Sequence, residues 1–161
     1  MFWIILIVAV GVDQLTKYLI VNSLALGESI PVINNFLDFT YTLNEGASFS
    51  ILQGQRIIFI IVTLAVLAII FFLLRKIPKD MKLFRAFIAL FCGGTIGNFI
   101  DRLHTGAVID FIDLGWFPVF NIADSCICVS AIAICLMLLF GKPGSLLSSK
   151  KEKTNHEFIS D

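Results

Sequence analysis

The sequence predicts an all-α membrane bundle, four transmembrane helices with a small extracellular β-element between helices 1 and 2. Three observations predict it. The chain is 58% hydrophobic, with a mean hydropathy of +0.93 and only 15% charged residues, an apolar share well above that of a soluble domain. Four apolar runs each approach the roughly 20 residues that a helix needs to cross a hydrocarbon core. One polar stretch between the first two runs alternates in the two-residue period of a strand.

The first run is Phe2 to about Val21, broken by Asp13, Gln14 and Lys17. No basic segment precedes it and no small-x-small site follows it, so it reads as a retained span and not a cleaved leader. The second, Ile57 to Leu74, carries no charge. The third runs from about Leu83 to Ile100 and the fourth from about Ile122 to Phe140. At 161 residues the expectation is one domain, residues 1–141, with its outward β-element at about 23–56. A polar tail at 142–161 is expected to stay solvated.

Lysine and arginine set the orientation. The connection RKIPKDMKLFR holds five and the tail four, together nine of the twelve basic residues. Both termini and this connection are therefore expected in the cytoplasm, with segments 23–56 and 102–121 outside. The formal net charge is zero, which gives no electrostatic case for nucleic acid. Cys92, Cys126, Cys128 and Cys135 all fall in spans, without metal-site spacing, and read as small buried hydrophobes.

In FLDFTYTLN (36–44), Leu37, Phe39, Tyr41 and Leu43 share one strand face, and Asp38, Thr40, Thr42 and Asn44 share the other. Pro31 and Asn34-Asn35 punctuate its start.

The acids then carry the argument. The segment VIDFIDLGWFPVFNIAD (108–124) holds Asp110, Asp113 and Asp124. Asp13 lies in the outer half of the first span, about 12 Å from its end, with Lys17 one turn on as an i, i+4 pair. Asp101 and Arg102 close the third span, and Asp124 opens the fourth. Five acids from three parts of the chain thus converge near the outer interface, although each intramembrane charge costs roughly 2.5 kcal/mol or more unless paired.

Two carboxylates within hydrogen-bonding reach share one proton. The charged acid activates a water and the protonated one polarises a carbonyl. That is aspartic protease chemistry, and it needs no metal or cofactor. No HExxH occurs, and the two histidines, His104 and His156, lie outside the spans' interiors. An ion-transport reading remains beside it, because transporters also place acids in spans, though typically at the midplane of larger bundles. A membrane scaffold is a third reading. The residues alone do not separate Asp110 from Asp113 or Asp101 as the working acid. Trp116 and Phe117 have the character of an interfacial belt.

The motifs DQLTK (13–17), NEGASF (44–49), GGTIGNFIDR (93–102), VIDF (108–111) and FNIAD (120–124), in this order on four spans, resemble the lipoprotein signal peptidase family, type II signal peptidases of bacteria, over about residues 10–140. The resemblance implies a four-helix membrane aspartic protease that cleaves prolipoproteins just before a diacylglyceryl-modified cysteine. It implies a catalytic pair of Asp110 and Asp124. Substrate-binding roles fall to Asn44, Gly46, Asn98, Arg102 and Asn121, and supporting roles to Asp13, Lys17, Asp101 and Ala123. It further implies a bacterial inner-membrane enzyme with its site near the outer face, block by globomycin, a lipid environment and no cofactor. Nothing in the sequence requires more than a monomer.

Overall fold

The buried residues of the first helix, α1 (Phe2–Ser23), are Phe2, Leu6, Ala9, Asp13, Lys17 and Ile20. Steps of three and four place all six on one stripe. Asp13 and Lys17 are thus held on the same face that packs the bundle, and the other faces of α1 stay apolar and exposed. The computed structural model describes residues 1–46 and 56–140. The tail and residues 47–49 of the NEGASF motif lie outside the described residues.

Three more helices follow: α2 (Arg56–Leu74), α3 (Lys82–His104) and α4 (Ile122–Phe140). All four are long and apolar enough to cross a membrane. Together with the likeness to solved membrane enzymes reported below, they make this a multi-pass membrane protein. The outward surface is correspondingly apolar, with Ile57, Ile61, Leu139 and Phe140 exposed. Cys92 is buried, whereas Cys128 and Cys135 are exposed. The expectation of four buried cysteines fails for those two because α4 turns that side away from the bundle.

The central helix is α3, which packs against the other three. Lipid gives little hydrophobic drive for helix association, so close approach through small residues matters. A Cβ on Gly93 would meet Ala9 and Leu6 of α1, and one on Gly94 would run into the carbonyl oxygen of Ala123 on α4. A Cβ on Gly97 would strike the Asp13 carboxylate. Phe2, Leu6, Leu67, Leu74, Phe84 and Ile88 form one apolar cluster between α1, α2 and α3.

A three-stranded antiparallel sheet caps one end of the bundle, in the order β1 (Ser29–Ile33), β2 (Leu37–Asn44), β3 (Val108–Asp113). The β-element expected between helices 1 and 2 is therefore incomplete as read from sequence. Its third strand comes from the connection between α3 and α4. Six strand residues after a helix, with no turn dipeptide, carry little periodicity, and pairing with β2 defines the strand. Asn34-Asn35 forms the β1–β2 turn, where Asn35 takes a left-handed φ of 58°, a conformation asparagine tolerates. Pro31 sits inside β1 beside a bulge, which an edge strand permits. Phe39 and Tyr41 of β2 pack with Phe111, Ile20 and Leu24, so part of the expected apolar face covers the end of α1. Leu43 is exposed.

The glycine contacts predict unequal effects of one methyl group. Gly94→Ala is expected to lower stability by about 1–3 kcal/mol, because the obstacle is backbone. Gly11→Ala, with nothing within 4 Å, is expected to cause no loss. Thermal unfolding of the purified variants in one detergent checks the contrast, and equal melting temperatures would refute the packing account.

Candidate active site

Lys17 lies at the centre of the polar interior, only 2% exposed. Its ammonium contacts Asp13 Oδ2 at 2.9 Å and Asp101 Oδ2 at 2.6 Å. It also donates to Asn98 Oδ1 at 2.9 Å. Three donors on one cation thus meet two carboxylates and an amide oxygen. Asp13 uses its other oxygen, Oδ1, to accept from the backbone N–H of Ala123 at 2.9 Å. Asp101 Oδ2 also accepts from the N–H of Ile109 at 3.2 Å. The ion cluster therefore fastens α1 to the first turn of α4 and to the start of β3.

Asn121, fully buried, precedes α4 and caps it, its Oδ1 accepting from the N–H of Asp124 at 2.8 Å. Two of the orphan amides of that helix end are thus satisfied, one by Asn121 and one by Asp13. The Asn121 amide donates to Asp110 Oδ1 at 2.7 Å and to Asn98 Oδ1 at 3.1 Å. The Asn98 amide donates to Asp124 Oδ1 at 2.7 Å. From the other side, the Asn44 amide donates to Asp110 Oδ2 at 3.0 Å. Asp110 and Asp124 are thereby held by a connected set of asparagines whose shared anchor is Lys17.

Strand geometry decides which acid of VIDFID joins. Asp110 lies opposite Thr42 in the β2–β3 ladder. Asp113 is three residues further, an odd step that leaves the face of Asp110. It accepts from Thr40 Oγ1 at 2.9 Å and from the N–H of Gly115 at 2.8 Å, fixing the turn beyond β3. Four of the five converging acids meet, and Asp113 does not join them.

A groove of about 1090 Å³ opens beside the pair, lined by Asn44, Gly46, Arg102, Asp110 and Asp124 among others. Asn98, Asn121, Asp13, Lys17, Asp101 and Ala123 lie behind it. Asn98 and Asn121, expected at the substrate, turn their amides to the two acids. Arg102 stands at the rim with its guanidinium over the Phe59 ring, 4.7 Å from the centroid. Apolar walls come from Phe117, Pro118, Val119, Ile127 and Val129.

Burial, and next the neighbouring Asp124 charge, push the Asp110 carboxyl up to about 7; hydrogen bonds from Asn44 and Asn121 and the Lys17 charge pull the other way. Asp110 is thus poised to hold a proton at neutral pH. Among the described residues no three His, Cys, Asp or Glu side chains are grouped to hold a metal ion. The reading from sequence passed over Gln14, whose amide donates to Asp101 Oδ1 at 2.9 Å and to Gly97 O at 3.2 Å. Its signal was a polar residue inside a span. Phe59 gave no signal among the aliphatic residues of α2.

A family model described as signal peptidase (SPase) II matches residues 5–140. The chain belongs to the signal peptidase II family. Its relatives include a lipoprotein signal peptidase of Bacillus pumilus, 45% identical over 146 residues, which span 88% of this chain and 94% of the relative. Another, of Moorella thermoacetica, is 42% identical over 86% of this chain and 92% of its own. A solved bacterial membrane enzyme superposes with a TM-score of 0.83 at 37% identity, covering 94% of this chain and 92% of its own. A second gives 0.78 at 38% identity, over 88% and 94%. Signal peptidase II enzymes are proteases of the aspartic type, and the paired acids in the groove fit that chemistry.

Lys17→Met is expected to destabilise the protein by about 3–5 kcal/mol, because it leaves Asp13 and Asp101 buried without a cation. Adding Asp101→Asn to Lys17→Met should recover part of that loss. Denaturation of the two variants measures both effects, and a single variant within 1 kcal/mol of the native protein would sink the anchoring role.

Proposed function

We propose that this protein is a membrane-embedded aspartic endopeptidase that removes the signal peptide of a diacylglyceryl-modified prolipoprotein, cutting just before the lipidated cysteine, with Asp110 and Asp124 as the catalytic pair. One observation carries the assignment. These two are the aspartates that line the groove, whereas Asp13 and Asp101 are committed to Lys17 behind it. The relatives' name, lipoprotein signal peptidase, supports the substrate class.

The pair shares one proton, and Asp110 keeps it. Its hydroxyl hydrogen-bonds the carbonyl oxygen of the scissile bond. Asp124 takes a proton from a water, whose oxygen attacks the carbonyl carbon. The tetrahedral intermediate then collapses. The C–N bond breaks, a proton passes to the leaving α-amine of the lipidated cysteine, and the signal peptide departs as a carboxylate. Asn121 and Asn98 position the acids. Asn44 contacts both Asp110 and the groove, while Gly46 and Arg102 at the rim meet the substrate backbone or its lipid phosphate-free glyceryl oxygens. The apolar walls take the acyl chains, and globomycin is expected to occupy the same groove.

The site is assigned to the outer face of the bacterial inner membrane, with both termini in the cytoplasm. The five basic residues of the α2–α3 turn, at the end of the bundle away from the sheet, support that orientation. All groups of the site come from one chain, so a monomer suffices.

Asp110→Asn and Asp124→Asn are each expected to lower cleavage of a lipidated prolipoprotein by roughly 10²–10⁴-fold or more, while the protein still inserts and purifies. Full turnover by either variant would refute the pairing. The rate should also have an alkaline limb. Activity is present while Asp110 holds its proton and is lost as pH rises through about 7. Asn44 stabilises the ionised form, so Asn44→Ala raises the Asp110 pKa and moves that limb to higher pH, by on the order of one unit. A limb that stays in place or moves down in a kcat/KM profile would show that Asn44 does not tune Asp110.

A further inference from the structure

The end of the bundle opposite the sheet carries a second cavity, of about 490 Å³, lined by Met1, Phe2, Trp3, Leu74, Lys79, Lys82 and Arg85. It has two unlike walls. One is aromatic and aliphatic: Trp3 is 61% exposed and stacks on Phe71, with ring centroids 6.0 Å apart and planes 19° apart. The other is cationic. Arg85 is partly committed, donating from Nη1 to Leu74 O at 3.1 Å and to Ile77 O at 2.8 Å, which closes the carboxyl end of α2. Lys79 and Lys82 have no carboxylate partner among the described residues, whose ion pairs are both made by Lys17. Asp80, the acid of this turn, is exposed and does not line the cavity.

We propose that this cavity is a binding site for one anionic glycerophospholipid, its phosphate held by Lys79 and Lys82 and its glycerol and first acyl carbons against Trp3, Phe2 and Leu74. Charge complementarity selects an anion, and basic pockets between membrane helices are suited to acidic lipid headgroups. The aromatic wall selects a lipid over a free anion, because inorganic phosphate has no use for it, and a half-exposed tryptophan at a span end sits at headgroup depth. The bound lipid bridges Trp3 of α1 and the α2–α3 turn. It thus adds a tie to α2, whose buried residues are only Leu67 and Leu74.

The chain has two tryptophans, so Trp116→Phe in the full-length protein leaves Trp3 as the one reporter. This protein is reconstituted in phosphatidylcholine vesicles containing equal mole fractions of either phosphatidylglycerol or phosphatidylcholine brominated near the headgroup end of the acyl chains. Brominated phosphatidylglycerol is expected to quench Trp3 at concentrations on the order of 10-fold lower. Adding Lys79→Gln and Lys82→Gln should abolish the preference. Adding Arg75→Gln and Lys76→Gln instead, which removes equal charge outside the cavity, should leave it. The proposal is overturned by equal quenching from both lipids, or by a preference that both double variants lose alike, which would mean diffuse surface charge. A preference abolished by millimolar inorganic phosphate would overturn it as well, in favour of a bare anion site.

Discussion

The polar network behind the groove hangs on one buried ammonium. Lys17 touches Asp13, Asp101 and Asn98, and those three reach α4, β3 and the groove acids in turn. Each charge alone is costly at this depth. Together they are tolerable because one cation faces two anions with excellent geometry and each carboxylate takes a further backbone or side-chain donor. Buried pairs of this kind give little net stability, but removing one partner is severe, so they work as a registration device. Here they set how far α1 slides along α3, and with it where Asp124 and Asp110 stand.

The two groove acids depend on that registration in different ways. Asp124 is placed by the start of a helix whose first amides are capped by Asn121 and Asp13. Asp110 is placed by a strand, through its ladder partner Thr42 and through Asp101 holding the N–H of Ile109. A helix end and a sheet edge are both rigid supports, so two acids that repel one another are held facing the same groove.

The spans were legible because hydropathy over 18 or more residues is a strong signal, and the cluster of acids at one end followed from span depth. The stripe that buries Asp13 and Lys17 was readable as an i, i+4 pair. Three things were not. Strand β3 exists through its pairing with β2, a contact across more than sixty residues that no local period records. Without that strand the odd spacing of Asp110 and Asp113 had no meaning, and the choice between them rested on the resemblance. The resemblance implied substrate-binding roles for Asn98 and Asn121, but that their amides point at the two aspartates depends on three-dimensional packing. Gln14 has its role only through Asp101 and Gly97 of another helix, contacts that no local pattern records.

The placement of Lys17 one turn beyond Asp13 also bears on how the protein is made. The first helix leaves the ribosome long before Asp101 or Asp124 is synthesised. At that stage its two charges neutralise each other within a single helix and the segment can enter lipid unaided. Asp101 joins when the third helix inserts, and the groove acquires its second aspartate only with the last. The two aspartates thus come to face one groove only after the last helix is in place.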